Sequence, residues 1–367
     1  MTTPSFHALT VSERRAETAD SVSLAFDVPP ALRETYRFLP GQFLTLRASV
    51  DGEDLRRSYS ICAPVSRYES AGELRVAIRR VPGGRFSNWL NDKVQPGQVL
   101  DVMTPDGRFH VPLRPTLARH HVGFAGGSGI TPMMSLIGTL LEAEPESRFT
   151  LVYGNRATQT VMFVEALEDM KNRHMGRLSL YHVLSEEPHE VELLNGMLDV
   201  AKCREFLDTV IPVASIDEAF VCGPDPMMNA AEAALRGAGL DPSRIHIERF
   251  GVPLPATGSL LAAQALAPGA GNAPRAQVEL VVDGKRRRLR VPYDGQSILD
   301  AGLAAGMNLP YSCKGGVCCT CRARVLEGEV RMERNYTLEA HEIADGFVLT
   351  CQSHPVSEHV VISYDER

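Results

Sequence analysis

Residues 310–326 read PYSCKGGVCCTCRARVL, placing Cys313, Cys318, Cys319 and Cys321 within nine positions. Four further cysteines, Cys62, Cys203, Cys222 and Cys351, stand singly. The opening stretch MTTPSFHALTVSERRAETAD lacks the apolar core of a secretory signal. No uninterrupted apolar run reaches the ~18 residues of a membrane span. The expected setting is therefore cytoplasmic and away from membranes. There, clustered thiols bind metal or do redox work rather than form disulfides.

Cys313, Cys318 and Cys321 follow the spacing C-x4-C-x2-C, and Cys351 lies 30 positions beyond Cys321. This matches the plant-type pattern for a [2Fe–2S] cluster, which makes these four the expected metal ligands. Gly315 and Gly316 let the backbone approach closely and turn its N–H groups toward the sulfurs. Structural zinc usually takes cysteines as two C-x2–4-C pairs, and no second pair is present. A ligand at Cys319 would crowd its neighbours, so Cys319 is expected to pack behind the loop. Cys62 and Cys203 read as core thiols.

Working outward, AQVELVVDG and KRRRLRVPYDG read as a hairpin, SILDAGLAAGMNL as one amphipathic helix, and RARVLEGEV and HVVISY as strands. A small mixed sheet crossed by one helix, the β-grasp arrangement, is predicted for residues 275–367. The run Lys285–Arg288 lies beside acidic residues and reads as a solvated hairpin. Residues 251–274, GVPLPATGSLLAAQALAPGAGNAP, are nearly uncharged and rich in breakers, so they read as a linker. Any helical turn there falls around Leu260 to Leu266.

With 367 residues the chain can bury two or three separate cores, and its net charge of -7 gives no reason to expect nucleic acid as a partner. Residues 1–115 alternate in SVSLAFDV, QFLTLRASV, ELRVAIRRV and QVLDVMTP, separated by turn residues. These runs predict an antiparallel β-barrel. In Arg57-Ser58-Tyr59-Ser60, at the start of a strand-like run, Arg57 and Tyr59 share a face. Such a face can grip a phosphate and shield a flat ring, although arginine and tyrosine also alternate on many exposed strands. Gly83-Gly84-Arg85-Phe86-Ser87 joins a glycine turn, a helix start and a hydroxyl, which suits an anion.

Over residues 116–250, short apolar strands (VGFAGG, FTLVYGN, LSLYHVLS, EAFVCGP) alternate with helical stretches (MMSLIGTLLEAE, FVEALEDMKNRH, PMMNAAEAALRGAG). That alternation predicts a doubly wound parallel α/β sheet. AGGSGITPMMS, with Gly127 and Gly129, follows a strand and opens a helix, so it suits a dinucleotide pyrophosphate. No Gly-Lys-Ser/Thr follows, which excludes a Walker A loop. Arg156 ends the second strand, where an arginine accommodates a 2′-phosphate and an acid favours the bare hydroxyl. NADPH is expected over NADH.

The order of segments, with R-x-Y-S, the glycine-plus-serine turn, GITP and C-G-P in place, resembles the ferredoxin–NADP reductase superfamily. Within it the chain is similar to oxygenase reductases with a C-terminal plant-type ferredoxin domain. Those of the phenylacetyl-CoA epoxidase type are nearest, and the ketosteroid 9α-hydroxylase reductases share the layout. The resemblance implies FAD, with Arg57 at its pyrophosphate, Ser58 among the residues that bind it, Tyr59 against the isoalloxazine and Ser60 near N5. It also implies that Ala77 and Ile78 border the ribityl chain and pyrophosphate, while Gly84, Phe86 and Ser87 close over the phosphates. Thr131 and the turn Cys222-Gly223-Pro224 would flank the nicotinamide, with Cys222 facing the reacting carbon. Ser60, Cys222 and Glu248 are the implied catalytic groups. Phe250 is implied to cover the flavin; alternatively it is a final core residue.

The expected activity is electron transfer from NAD(P)H through FAD and the cluster to an oxygenase. A di-iron oxygenase docking at the iron–sulfur loop is the expected partner. A non-catalytic redox sensor is the alternative, and a flavin site argues against it because a sensor needs no hydride acceptor.

Overall fold

The computed structural model describes residues 5–250 and 274–366. Apart from residue 274, the expected linker lies outside the described residues. The chain divides into two compact units, one spanning Phe6–Glu248 and the other beginning at Arg249.

The first unit opens with six strands and two helices: β1 (Phe6–Thr18), β2 (Ser21–Asp27), β3 (Phe43–Val50), β4 (Glu53–Ser60), α1 (Val65–Ala71), β5 (Glu73–Arg79), α2 (Arg85–Lys93) and β6 (Val99–Met103). The strands pair in the order β4-β3-β6-β1-β2-β5, all antiparallel, and a bridge between Ile61 and Val76 brings the end of β4 to β5. Alternation puts Leu24, Phe26, Leu44, Leu46, Val76 and Ile78 into one barrel core.

A parallel sheet follows: β7 (His120–Gly126), α3 (Ile130–Ala143), β8 (Arg148–Asn155), α4 (Val164–Arg173), β9 (Leu178–Leu184), α5 (Val200–Thr209), β10 (Glu218–Cys222), α6 (Asp225–Gly237) and β11 (Ile245–Glu248). Its order is β11-β10-β7-β8-β9 with every pair parallel, so the strand order reverses between β7 and β10. In open α/β sheets that switch point is where ligands bind. Helix α3 belongs to both layers. Met133, Met134 and Ile137 share one core with Cys62 and Ala77 of the barrel, which fixes barrel and sheet against each other.

One buried polar cluster ties α3 to β7. The Glu144 carboxylate is fully buried and accepts from the Arg114 N–H (2.8 Å), the Ser147 hydroxyl (2.7 Å) and Arg119, with His121 Nε2 at 3.2 Å. Burial opposes its charge, but the Arg119 guanidinium and the other donors outweigh it and hold the pKa at about 2. A depressed carboxyl stabilises the fold above its unfolded pKa near 4.5, and that contribution is lost as pH falls toward 2. The expected loss is about 3 kcal/mol across that window. Thermal melts between pH 6 and pH 2 should show this acid limb in the native chain and a flatter one in Glu144→Gln.

The second unit contains β12 (Arg275–Val282), β13 (Lys285–Pro292), α7 (Ile298–Ala304), β14 (Arg322–Glu327), β15 (Val330–Met332), α8 (Ala340–Ala344), β16 (Phe347–Leu349), β17 (Ser353–Pro355) and β18 (His359–Ser363). Its main sheet runs β13-β12-β18-β14-β16, with β12 and β18 parallel, and β15 pairs with β17. Two local expectations are corrected. Helix α7 stops at Ala304, because Gly306 turns left-handed (φ 76°) and its N–H closes on Leu303 O. RARVLEGEV is two strands, divided at Gly328 (φ 83°). In the basic hairpin, Arg286 and Arg288 both grip the buried Glu279, each at 2.8 Å. Among the described residues no helix is long and apolar enough to cross a membrane.

Candidate cofactor sites

The motif Arg57–Ser60 forms the end of β4, not its beginning, because the strand already starts at Glu53. Alternation holds: Arg56 and Ser60 are buried, while Arg57 is exposed and Tyr59 half-buried on the opposite side. Ser58 pairs its hydroxyl with Thr45 (3.0 Å). The Tyr59 ring lies nearly parallel to Phe86 (centroids 6.4 Å apart, 16°), which in turn stacks on Trp89. Phe86 and Ser87 are buried, and Ser87 Oγ accepts from the Val81 N–H at 3.2 Å. They brace the start of α2 from below. A Cβ at Gly84 would meet Ser87 Oγ at 2.7 Å, and no side chain caps the helix N-terminus. Free N–H groups, an exposed guanidinium and a half-buried ring together fit a flavin dinucleotide. The Ala77 and Ile78 side chains lie in two different cores, so any role beside a ligand falls to their backbone.

At the switch point a cleft of about 710 Å³ is lined by Gly126, Gly127, Asn155, Arg156, Pro224 and Met227 of the parallel sheet. Asp20, Arg79 and Arg80 of the barrel line it as well. The turns after β7 and β10 touch backbone to backbone: a Cβ on Gly129 would lie 2.0 Å from Cys222 O and 2.7 Å from Gly223 N. Tyr153 OH donates to Gly127 O at 2.8 Å, and Thr131, itself buried, donates to Ser128 O at 3.0 Å. Both therefore hold the glycine turn in shape. Arg79 leans on this turn, anchored through Nε by Asp20 at 2.9 Å. The Arg156 guanidinium is exposed and makes no hydrogen bond or ion pair among the described residues, so its charge is available to a ligand. Three arginines around a glycine turn fit a dinucleotide phosphate. Sequence reasoning missed Arg79 and Arg80. They are visible as a pair just before the last residue of ELRVAIRRV, but only the fold carries them to the other domain's cleft.

Where β4 meets the sheet edge, Ser60 Oγ donates to Glu248 Oε2 at 2.9 Å across 188 positions of sequence, and Glu248 is the register partner of Cys222. Burial pushes the Glu248 carboxyl up to about 8, with the Ser60 hydrogen bond pulling the other way. At neutral pH this carboxyl therefore holds its proton. Burial, and then the neighbouring Glu248, push the Cys222 thiol well up, so it is a neutral, fully enclosed group. Phe250 is exposed and belongs with the second unit.

In the second unit the four expected ligand sulfurs meet in pairs, Cys313 with Cys318 and Cys321 with Cys351. Within each pair one thiol is held down and the other pushed up by the hydrogen bond between them. Among the described residues no three His, Cys, Asp or Glu side chains converge as a single-ion site. Gly315 N–H donates to Cys313 Sγ at 3.2 Å. Two sulfur pairs fronted by N–H donors fit a cluster with two thiolates on each of two irons. Cys319 has a left-handed backbone (φ 54°) and turns its sulfur to Thr337 Oγ1, 2.7 Å away.

Three family descriptions match in the order of the folded parts: an oxidoreductase FAD-binding domain over residues 8–111, an oxidoreductase NAD-binding domain over 124–233 and a 2Fe-2S iron-sulfur cluster binding domain over 280–356. The chain is 44% identical to one of the subunits of 1,2-phenylacetyl-CoA epoxidase from Escherichia coli (strain K12), over 99% of this chain and 98% of that one. The chain belongs to the ferredoxin–NADP reductase superfamily, with a C-terminal [2Fe–2S] domain. Another member, the 3-ketosteroid-9-alpha-monooxygenase ferredoxin reductase component of Rhodococcus rhodochrous, is 34% identical over 97% of this chain and 96% of its own. The solved structure of phthalate dioxygenase reductase shares the fold (TM-score 0.57, 22% identity, 98% of each chain). As a member of this superfamily the chain is an NAD(P)H-dependent oxidoreductase using FAD and a [2Fe–2S] cluster.

Proposed function

We propose that this chain is the reductase of a phenylacetyl-CoA epoxidase, takes its electrons from NADPH, and serves a di-iron oxygenase component that docks at the Gly315–Gly316 loop. The end-to-end 44% identity to the epoxidase protein, against 34% to the ketosteroid reductase, carries this reading. Domain limits at residues 115 and 250, with the ferredoxin domain from residue 275, accompany it. When bound, FAD accepts two electrons as a hydride and releases them singly, and the cluster carries one at a time.

The residues divide the remaining work. Arg57 and the open start of α2 hold the flavin phosphates, and Tyr59 shields the ring. Arg79 and the glycine turn orient the nucleotide. The neutral Cys222 thiol excludes water from the reacting face without adding charge, and Ser60 with Glu248 holds a proton beside it. The test is reconstitution with the oxygenase components of phenylacetyl-CoA epoxidase, measuring NADPH-dependent epoxidation of phenylacetyl-CoA. Protein that reduces ferricyanide but supports no epoxide formation would overturn the assignment.

Arg156 supplies the preference for NADPH. Replacing it with alanine is expected to raise KM for NADPH about tenfold, as loss of one charge-assisted hydrogen bond of ~1.5 kcal/mol does. KM for NADH should stay as it was. Equal changes in both constants would remove Arg156 from the 2′-phosphate site.

A further inference from the structure

We propose that Gln352 raises the reduction potential of the iron–sulfur site by donating its side-chain amide to the Cys351 sulfur. The inference rests on Cys351 being a cluster ligand. Gln352 is buried, and its amide nitrogen lies 3.5 Å from Cys351 Sγ, 2.9 Å from Lys314 O and 3.0 Å from Cys351 O. Two amide protons thus face three acceptors. One is taken by Lys314 O in the loop between Cys313 and Cys318, and the other is shared between the carbonyl and the sulfur of Cys351. The side chain ties the loop holding one sulfur pair to the turn holding the other.

Its position leaves little freedom. The Gln352 stem lies against Gly316, where a Cβ would sit 3.3 Å from Gln352 Cγ. The backbone is pinned by Gln352 N–H to Leu349 O (2.9 Å) and by Glu333 N–H to Gln352 O (2.8 Å). The amide is therefore aimed by packing and needs no reorganisation when charge changes nearby. One added electron increases the negative charge on the ligand sulfurs. A fixed N–H in a dry site stabilises that charge more than it stabilises the oxidised state, and hydrogen bonds to sulfur are a recognised control of such potentials. The Cys313 sulfur has the Gly315 N–H, a backbone donor that substitution leaves in place. Cys351 also has a backbone donor, Gly316, but its Gln352 donor is a side chain and can be removed.

The experiment is an EPR-monitored redox titration of the full-length protein carrying its cofactors. Gln352→Leu keeps the volume and loses the donor, and should shift the midpoint to more negative values. A tenfold fall in the equilibrium constant for reduction reads as about 59 mV for one electron. Gln352→Glu, which keeps the stem and replaces the amide donor with a carboxylate, should shift it further the same way. An unchanged or more positive midpoint in either variant, with an intact cluster spectrum, overturns the proposal. Loss of the cluster in both variants also overturns it, because Gln352 would then hold the loop together rather than tune it. Cys351→Ser with an unchanged cluster spectrum would instead remove the ligand assignment beneath the inference.

Discussion

Replacing Cys351 with serine should reduce electron delivery to the oxygenase to background while NADPH-dependent ferricyanide reduction stays near its native rate. Cys351 lies in the turn between β16 and β17, with its sulfur against Cys321. The turn keeps its shape without the sulfur: Thr350 donates to Cys321 O through both its N–H (3.2 Å) and its hydroxyl (3.0 Å), and Tyr364 OH donates to Thr350 at 2.8 Å. Serine fits this frame, but its hydroxyl does not ionise as a thiol does, so one ligand of four is lost. The residues proposed to hold flavin and nucleotide lie in the unit Phe6–Glu248, which has its own cores. Its hydride chemistry should therefore survive. Visible absorption, ferricyanide reduction and coupled oxygenase turnover measure the three consequences separately. Cys319→Ser is the internal contrast and should leave all three as they are. Loss of the cluster spectrum in Cys319→Ser with retention in Cys351→Ser would reverse the ligand assignment.

The contrast between Cys319 and Cys351 also marks what the sequence could express. Ligand spacing is local for three of the cysteines, and a loop that wraps a small cluster constrains it tightly. Barrel strands β2, β3, β5 and β6 are legible because their alternation is bounded by turn residues. Strand β1 is not, since SERRAET is polar and among its residues only Leu9 and Val11 are fully buried. Helix α5 escapes notice for a similar reason: its buried side is only Cys203, Phe206 and Leu207. Helix α7 reads too long because Met307 and Leu309 continue the apolar pattern past the left-handed Gly306. The least legible features are contacts between distant segments. Nothing local ties Ser60 to Glu248, or Arg79 to the glycine turn of another domain. Those pairings exist only because α3 packs barrel and sheet around one core.

Alanine at Gly129 should cost about 3 kcal/mol, the upper range for overpacking, and abolish saturable NADPH binding. Gly129 has an ordinary right-handed backbone (φ -63°), so alanine brings no conformational strain. The cost is contact alone: the new Cβ would lie 2.0 Å from Cys222 O, 2.4 Å from Cys222 C and 2.7 Å from Gly223 N. These are backbone atoms at the end of β10 and cannot swing aside as a side chain can. Relief requires the turn after β7 to separate from the turn after β10, which opens the phosphate cradle where the strand order reverses. The barrel core is a separate cluster, so FAD content should be retained. Gly176→Ala is the matched contrast, since a Cβ there meets nothing within 4 Å. Urea unfolding, FAD content and NADPH-dependent flavin bleaching together decide the matter. Native stability and native KM in Gly129→Ala would show that the two turns do not touch and that the nucleotide is held elsewhere.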